Sequence, residues 1–428
     1  MDKSNRDSRG LSGLTNIGNT CYMNAVLQCL FATDSLNYYI TNRKFKKDLK
    51  IGIINLVFNN EKHILKLNPH ISEEEFLKFV LSKKTYLKEK FKSSMTYGFY
   101  QLFTLMWTIN CTIKPKQIKQ LISYYNPKFE GFNQHDSHEL LYSIFDRVHD
   151  ETKNKCKIKK IKVKPELAEY YQQKKQFLKY LSEMDEETED KESVINNFNK
   201  FVSENYNKDI IIRAVEYWKS YVKENNSIIT HTFTGLFSSK VTCNNCNNSH
   251  FNFEPFNILE LTLVDKENKT YQNINECLKN FCSGESVSYK CDSCKVDGTA
   301  TKRLNIFRAP KKLIIQLKRF SSQTNSNHRS ILSFMNMNSG KISDKINFPI
   351  NNLNIKDYTS DIDPQNYSYN LYATVNHSGG LGGGHYVANC KNLLDQKWYH
   401  FNDDRISYVD DENEIVDNSA YILFYERD

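Results

Sequence analysis

The first strong helical period in the chain begins just after a polar turn. Beyond Cys21, the apolar side chains Tyr22, Ala25, Val26, Cys29 and Leu30 recur at helical spacing, which predicts an amphipathic helix with one stripe on a core. Cys21 falls in its first turn. A second helix is signalled at Asp136, a capping residue, with Glu139 at the third helical position and a Leu141, Ile144, Phe145, Val148 stripe behind them. Between the two, residues 42–126 read as several helices, one of them over 73–87. Farther on, 166–181 carries a Tyr170, Phe177, Leu178, Leu181 stripe, and 213–222 contains Ala214, Tyr217, Trp218 and Tyr221. Then the period changes. Residues 369–375 alternate and are rich in β-branched and aromatic side chains, a glycine-rich loop follows over 379–384, and His385 opens a second short strand ending near Asn389.

Composition agrees with a folded globule. At 428 residues, 39% hydrophobic and 13% aromatic, the chain has material for one large core or two smaller ones, which excludes a disordered protein. The N-terminal residues 1–7 are polar and charged, and no run of about 18 apolar residues marks a membrane span. A reducing compartment, cytoplasm or nucleus, is expected, with no membrane as partner. The net charge of +8 does not single out nucleic acid, because the densest lysine run, 153–164, is answered by Glu183, Asp185, Glu186, Glu187, Glu189 and Asp190. That pattern reads as a solvated insertion or, alternatively, as a surface that docks a partner. No nucleic-acid partner is expected, there is no internal repeat, and the oligomeric state is open.

The cysteines sort by spacing. Of eleven, Cys243 and Cys246 form one C-x-x-C pair, and Cys291 and Cys294 a second. Each pair is a turn able to aim two thiolates at one ion, and four thiolates make the tetrahedral shell of a structural zinc site with no place for catalytic water. Cys29, Cys111, Cys156, Cys277, Cys282 and Cys390 read as buried or incidental thiols.

Cys21 is placed differently. At a helix start, unpaired N–H groups and the dipole favour the thiolate, the attacking form of the side chain. His385 sits at a loop-to-strand junction, where the glycines before it leave the imidazole open and let a peptide backbone pass close by. Asn402, one short connection later in the run Trp398-Tyr399-His400-Phe401-Asn402-Asp403-Asp404, is able to accept the Nδ1–H of His385 and aim Nε2 at a thiol. The order Cys, His, Asn matches papain-like thiol proteases.

These residues resemble one family in particular, the ubiquitin-specific proteases, papain-like peptidases that remove ubiquitin from proteins. The likeness runs from Gly13 to Tyr425: a Cys box over 13–30, a His box over 369–404, the closing strand Ala420-Tyr421-Ile422-Leu423-Phe424-Tyr425, and a signature strand over 310–320. Residues 254–261, and Lys341 through Phe348-Pro349, fit as well. The resemblance implies an α+β papain-like fold, with a tail (1–12), a helical thumb (13–150), a charged helical insertion (151–212), zinc-bearing β fingers (228–309) and a β-sheet palm (310–428). It implies Cys21 as nucleophile, His385 as general base and then acid, and Asn402 or Asp403 as third member. Asn16 would be an oxyanion donor beside the Cys21 N–H. It further implies that Gln134, Asp136, Glu139 and Tyr386 meet substrate, with His135 standing where the family usually has a second Gln. The expected partners are ubiquitin and ubiquitinated proteins, the tail's diglycine fitting a narrow cleft. Another ubiquitin-like modifier as substrate, or a non-catalytic ubiquitin-binding scaffold, is the alternative.

Overall fold

The computed structural model describes residues 9–68, 70–108, 110–157, 165–184, 191–320, 341–359, 367–380 and 383–428. Residues 1–8, the lysine-rich 158–164, the acidic 185–190, and Leu381 with Gly382 lie outside the described residues.

The N-terminal part is helical, as its period predicts. It comprises α1 (Cys21–Phe31), α2 (Asp34–Thr41), α3 (Phe45–Glu61), α4 (His63–Leu67), α5 (Glu73–Ser82), α6 (Lys84–Lys92), α7 (Met95–Thr108), α8 (Lys116–Tyr125) and α9 (Ser137–Thr152). Two short parallel strands, β1 (Gly13–Leu14) and β2 (Thr112–Ile113), run beside them. Every residue of α1 is buried, so the single apolar stripe expected there is too narrow. Its polar positions survive inside because Asn24 donates to the Leu14 carbonyl at 3.0 Å and Gln28 to the Ser12 carbonyl at 2.8 Å. The helix expected over 73–87 divides into α5, opened by a Ser72–Glu75 capping box, and α6. Lys83 breaks it, leaving helical geometry (φ −75°, ψ 50°) while its ammonium pairs with Glu61 at 2.7 Å.

Helix α9 starts at the expected Asp136 cap and packs along α3. At Gly52 the two backbones approach so closely that a Cβ would lie 1.9 Å from the Glu151 carbonyl oxygen. The fully buried Glu151 carboxylate anchors the start of α7, accepting the N–H groups of Met95 (2.9 Å) and Thr96 (2.8 Å), the Thr96 hydroxyl (2.7 Å) and the Arg147 guanidinium (2.7 Å). Glu151→Gln turns one acceptor into a donor facing donors. We expect a loss of about 2–3 kcal/mol in unfolding free energy, read from thermal or denaturant unfolding; an unchanged midpoint would show that the anchor contributes nothing.

The remaining helices are α10 (Pro165–Glu183), α11 (Lys191–Glu204), α12 (Tyr206–Glu224), α13 (Ile228–Thr232) and α14 (Ile274–Ser283). The remaining strands are β3 (Gly235–Cys243), β4 (Ser249–Phe256), β5 (Ile258–Thr262), β6 (Glu285–Lys290), β7 (Asp297–Arg308), β8 (Lys312–Lys318), β9 (Leu353–Asn354), β10 (Ser368–Gly380), β11 (Gly383–Lys391), β12 (Trp398–Asn402), β13 (Arg405–Tyr408) and β14 (Ala420–Arg427). One antiparallel sheet has the order β4-β3-β7-β6. The larger sheet runs β13-β12-β11-β10-β14-β8-β5, antiparallel except for the parallel β5–β8 pair, with β9 on β10. The segment 228–309 is thus shared between two sheets, since β5 joins the larger one.

Alternation along the large sheet feeds two cores. Ile422 and Phe424 face α1 and its neighbouring helices, whereas Leu423 and Tyr425 face α14 and the 346–355 segment. Strand β8, covered on both faces, is buried from Lys312 to Leu317. A third, smaller cluster seats the insertion: Ile210 and Ala214 of α12 pack on Leu236, Phe253 and Phe307 of the small sheet. Among the described residues, no helix is long and apolar enough to cross a membrane.

Candidate active site

Strands β10 and β11 pair so that Ser378 lies opposite His385 and His377 opposite Tyr386. Helix α1 packs across β11, which brings Cys21, distant in sequence, to the same place. Cys21 is 2% exposed, and its sulfur faces the backbone N–H of Tyr386, the residue after His385. Burial pushes the thiol above its ordinary value and the nearby Asp403 charge adds to this, against the pull of the Tyr386, Tyr22 and Cys21 N–H groups. Desolvation therefore outweighs the helix-start effect that the sequence suggested, and the surroundings favour the thiol form of Cys21.

His385 Nε2 lies 2.7 Å from Asn402 Oδ1. A side-chain carbonyl oxygen only accepts, so the proton sits on Nε2 and Nδ1 is the basic nitrogen. The pairing is the expected one with the two ring nitrogens exchanged, because the neighbouring strand β12 delivers Asn402 to the Nε2 edge. Asp403, at the start of the turn into β13 with φ +53°, turns the other way. Its Oδ2 accepts from Asn16 Nδ2 at 3.0 Å and its Oδ1 from Asn24 Nδ2 at 2.8 Å. Asn16 is further held through Oδ1, which accepts the N–H groups of Gly18 and Thr20, both at 3.1 Å. Among the described residues, one N–H of its amide has no partner.

The residues expected to meet substrate are placed as follows. Gln134 pairs with the backbone of Gly384, donating to its carbonyl at 2.9 Å and accepting its N–H at 2.7 Å, so it bridges to the His385 strand. Asp136 caps α9 through Oδ1 and accepts the Tyr421 hydroxyl at 2.6 Å through Oδ2. Glu139 is exposed and pairs with Lys128 at 2.6 Å. Tyr386 is buried, its ring 4.4 Å from that of His377, while its N–H meets the Cys21 sulfur. His135 packs edge-on against Tyr22 and Phe129, with centroids 5.5 and 5.2 Å apart.

Two residues in this network had no assigned part in the sequence. Asn24, one turn beyond Cys21, holds Asp403, a role visible in principle from its position on the helix face that carries the nucleophile. His377 is buried, and burial with the charges of Lys341 and His385 brings it down to about 4, so its ring stays neutral. A Cβ at Gly384 would lie 2.2 Å from His377 Nε2, which explains the glycine before His385.

A family model described as ubiquitin carboxyl-terminal hydrolase matches residues 12–425. The chain belongs to the ubiquitin carboxyl-terminal hydrolase family. Membership makes it a thiol-dependent deubiquitinating hydrolase. A probable ubiquitin carboxyl-terminal hydrolase of Acanthamoeba polyphaga mimivirus is 27% identical over 462 residues, covering 100% of this chain and 92% of the relative. The Drosophila melanogaster ubiquitin carboxyl-terminal hydrolase Usp2 is 29% identical over 99% of this chain, which spans 36% of that protein. The fold resembles the solved SAGA Ubp8/Sgf11/Sus1/Sgf73 DUB module bound to ubiquitin aldehyde, with TM-score 0.56 and 22% identity over 100% of this chain and 72% of that one.

In this hydrolase the four paired cysteines meet at the far end of the small sheet. The β3–β4 and β6–β7 turns are built alike: Cys243 N–H bonds to Asn248 O and Asn247 N–H to Cys243 O, as Cys291 N–H bonds to Val296 O and Lys295 N–H to Cys291 O. The left-handed residues Asn247 (φ 58°) and Lys295 (φ 60°) close them. The four sulfurs lie within 4.8 Å of one another, with Cys246 and Cys291 at 3.6 Å and Cys243 and Cys294 at 3.9 Å. The N–H of Val296 and the Asn245 side chain bring the Cys294 thiol down to about 6. Such a cluster of four cysteine sulfurs is able to hold one metal ion.

Proposed function

We propose that the hydrolase cleaves the peptide or isopeptide bond after the C-terminal glycine of ubiquitin, with Cys21 as nucleophile and His385 as its base. The observation that carries this reading is the Asn402–His385 pair set beside a sulfur that faces the next backbone N–H. His385 Nδ1 takes the thiol proton as sulfur attacks the glycine carbonyl carbon. The developing oxyanion receives the free N–H of Asn16 and the N–H of Cys21. Collapse releases the lysine amine with the proton from Nδ1, leaving a thioester, and water attacks it with His385 again as base.

Gln134, bonded to both backbone groups of Gly384, holds the segment before α9 against the His385 strand, and a narrow cleft there would suit a diglycine. Asp136 and Glu139 add negative charge at that end of the cleft for the arginines of ubiquitin's tail. Tyr386 contributes its backbone more than its buried ring. The reading is tested with ubiquitin carrying a C-terminal fluorogenic amide, and with ubiquitin ending in an electrophile. Fluorescence release, and a covalent adduct mapped to Cys21, are expected; absence of both overturns the assignment, and faster turnover of another modifier changes the substrate.

We further propose zinc as the ion held by Cys243, Cys246, Cys291 and Cys294. A tetrahedral shell with zinc–sulfur distances of about 2.3 Å sets sulfurs about 3.8 Å apart, which the spacings of 3.6 and 3.9 Å fit. A closed four-sulfur shell ties two turns together and supplies no chemistry to the cleft. About one zinc per chain is expected by elemental analysis, with a lowered unfolding midpoint after chelation; no bound metal, or no change on chelation, would refute it. A catalytic thiol and zinc thiolates both favour a reducing compartment.

A further inference from the structure

We propose that the recess between α3 and α6 binds a free single-chain anionic amphiphile, an alkyl chain ending in a phosphate or carboxylate. The recess has a volume of about 570 Å³, within the usual range for small-molecule sites. It lies on the helical part, and none of the residues lining it belongs to the catalytic network. Its floor and wall are apolar: Ile53 is 4% exposed, Ile54, Leu87 and Phe91 are half-buried, and Leu81 closes one side at 42% exposure.

The rim is made of lysines. Lys46 and Lys50 stand one helical turn apart on α3, and Lys84 and Lys88 one turn apart on α6, so two cationic pairs border the same apolar floor. No carboxylate lines the recess. Nearby lysines are neutralised, Lys62 by Glu73 at 3.0 Å, Lys78 by Glu74 at 2.9 Å and Lys83 by Glu61 at 2.7 Å. Among the described residues, the four rim lysines have no ion-pair partner. Four unneutralised ammonium groups around a partly exposed apolar surface suit a ligand that is apolar at one end and anionic at the other.

Shape selects among such ligands. Ile53 on the floor is 4% exposed, which leaves a flat bilayer surface little to contact there. A sphere of this volume is about 10 Å across, no wider than a helix with its side chains at about 10–12 Å, so an acidic amphipathic helix does not enter it. A single flexible chain does both.

The test uses the full chain, titrated calorimetrically with dodecyl phosphate below its micelle concentration. Parallel titrations use inorganic phosphate, the neutral detergent dodecyl maltoside and phosphatidylserine vesicles. Saturable one-to-one binding of dodecyl phosphate, weakened at least about tenfold in Lys50→Glu/Lys84→Glu and weakened by added salt, is expected. Leu81→Ser, at an exposed wall position that does not threaten the fold, weakens it as well. Equal binding of inorganic phosphate or of the neutral detergent overturns the proposal, as does binding indifferent to both variants. Binding to vesicles without binding of the free amphiphile also overturns it, in favour of a membrane surface.

Discussion

Cys21→Ser lowers turnover of the fluorogenic ubiquitin amide by about 10⁴-fold or more while leaving the unfolding midpoint in place. The sulfur packs in a closed site beside β11, and oxygen is smaller, so the fold tolerates the change. Chemistry does not, because His385 Nδ1 would have to draw a proton from an alcohol that ionises far less readily than a thiol. The resting state adds a second readout. Burial and the Asp403 charge both raise the Cys21 thiol above its ordinary value near 9. A raised value means that the thiolate forms only as pH passes above it, so alkylation at the Cys21 peptide by iodoacetamide keeps rising beyond pH 9. In Asp403→Asn the opposing negative charge is gone, and the rise begins at lower pH. A flat alkylation rate from neutral pH upward would mean a preformed thiolate–imidazolium pair and would contradict the buried-thiol account.

What was legible in the sequence was local chemistry. Each C-x-x-C turn specifies its own geometry within six residues, and the two turns need only meet for the metal cluster to appear. Cys21, His385 and Asn402 were legible because helix start, glycine loop and neighbouring strand each leave a recognisable pattern. What depends on distant packing was not. The ring edge of His385 that meets Asn402 follows from where β12 lies beside β11, which no residue near either announces. The thiol's protonation follows from the burial of α1 under the large sheet, and that burial was underestimated because Asn24 and Gln28 look like a solvent face. Their partners are carbonyls of the preceding strand segment. Strand β5 lies in the segment 228–309 yet joins the larger sheet, since its parallel partner, β8, lies some fifty residues downstream. The open choice between Asn402 and Asp403 has the same origin: Asn402 ends β12 while Asp403 opens the turn in a left-handed conformation, so one side chain meets the imidazole and the other Asn16 and Asn24.

That division of labour makes Asn16→Ala the second large effect, a fall of about 10²–10³-fold in kcat, or about 2.7–4 kcal/mol of transition-state stabilisation, with KM little changed. Asn16 is a turn residue as well as the proposed oxyanion donor, since its Oδ1 holds the N–H groups of Gly18 and Thr20. A structural role alone would show as a lowered unfolding midpoint and weaker ubiquitin binding, so both are measured beside kcat, the binding in a Cys21→Ser background. Asp403→Asn separates the two roles. It leaves the Gly18 and Thr20 bonds untouched but sets an amide donor against either Asn16 or Asn24, so the oxyanion donor loses its aim while the turn persists. A kcat loss of the same order in Asp403→Asn, with unchanged ubiquitin affinity, is the expected result. If Asp403→Asn kept full kcat while Asn402→Ala lost it, the Asp403–Asn16 contact would be a turn contact only. Were the reverse found for both, Asp403 would be acting on His385 in place of Asn402, against the 2.7 Å bond that joins them.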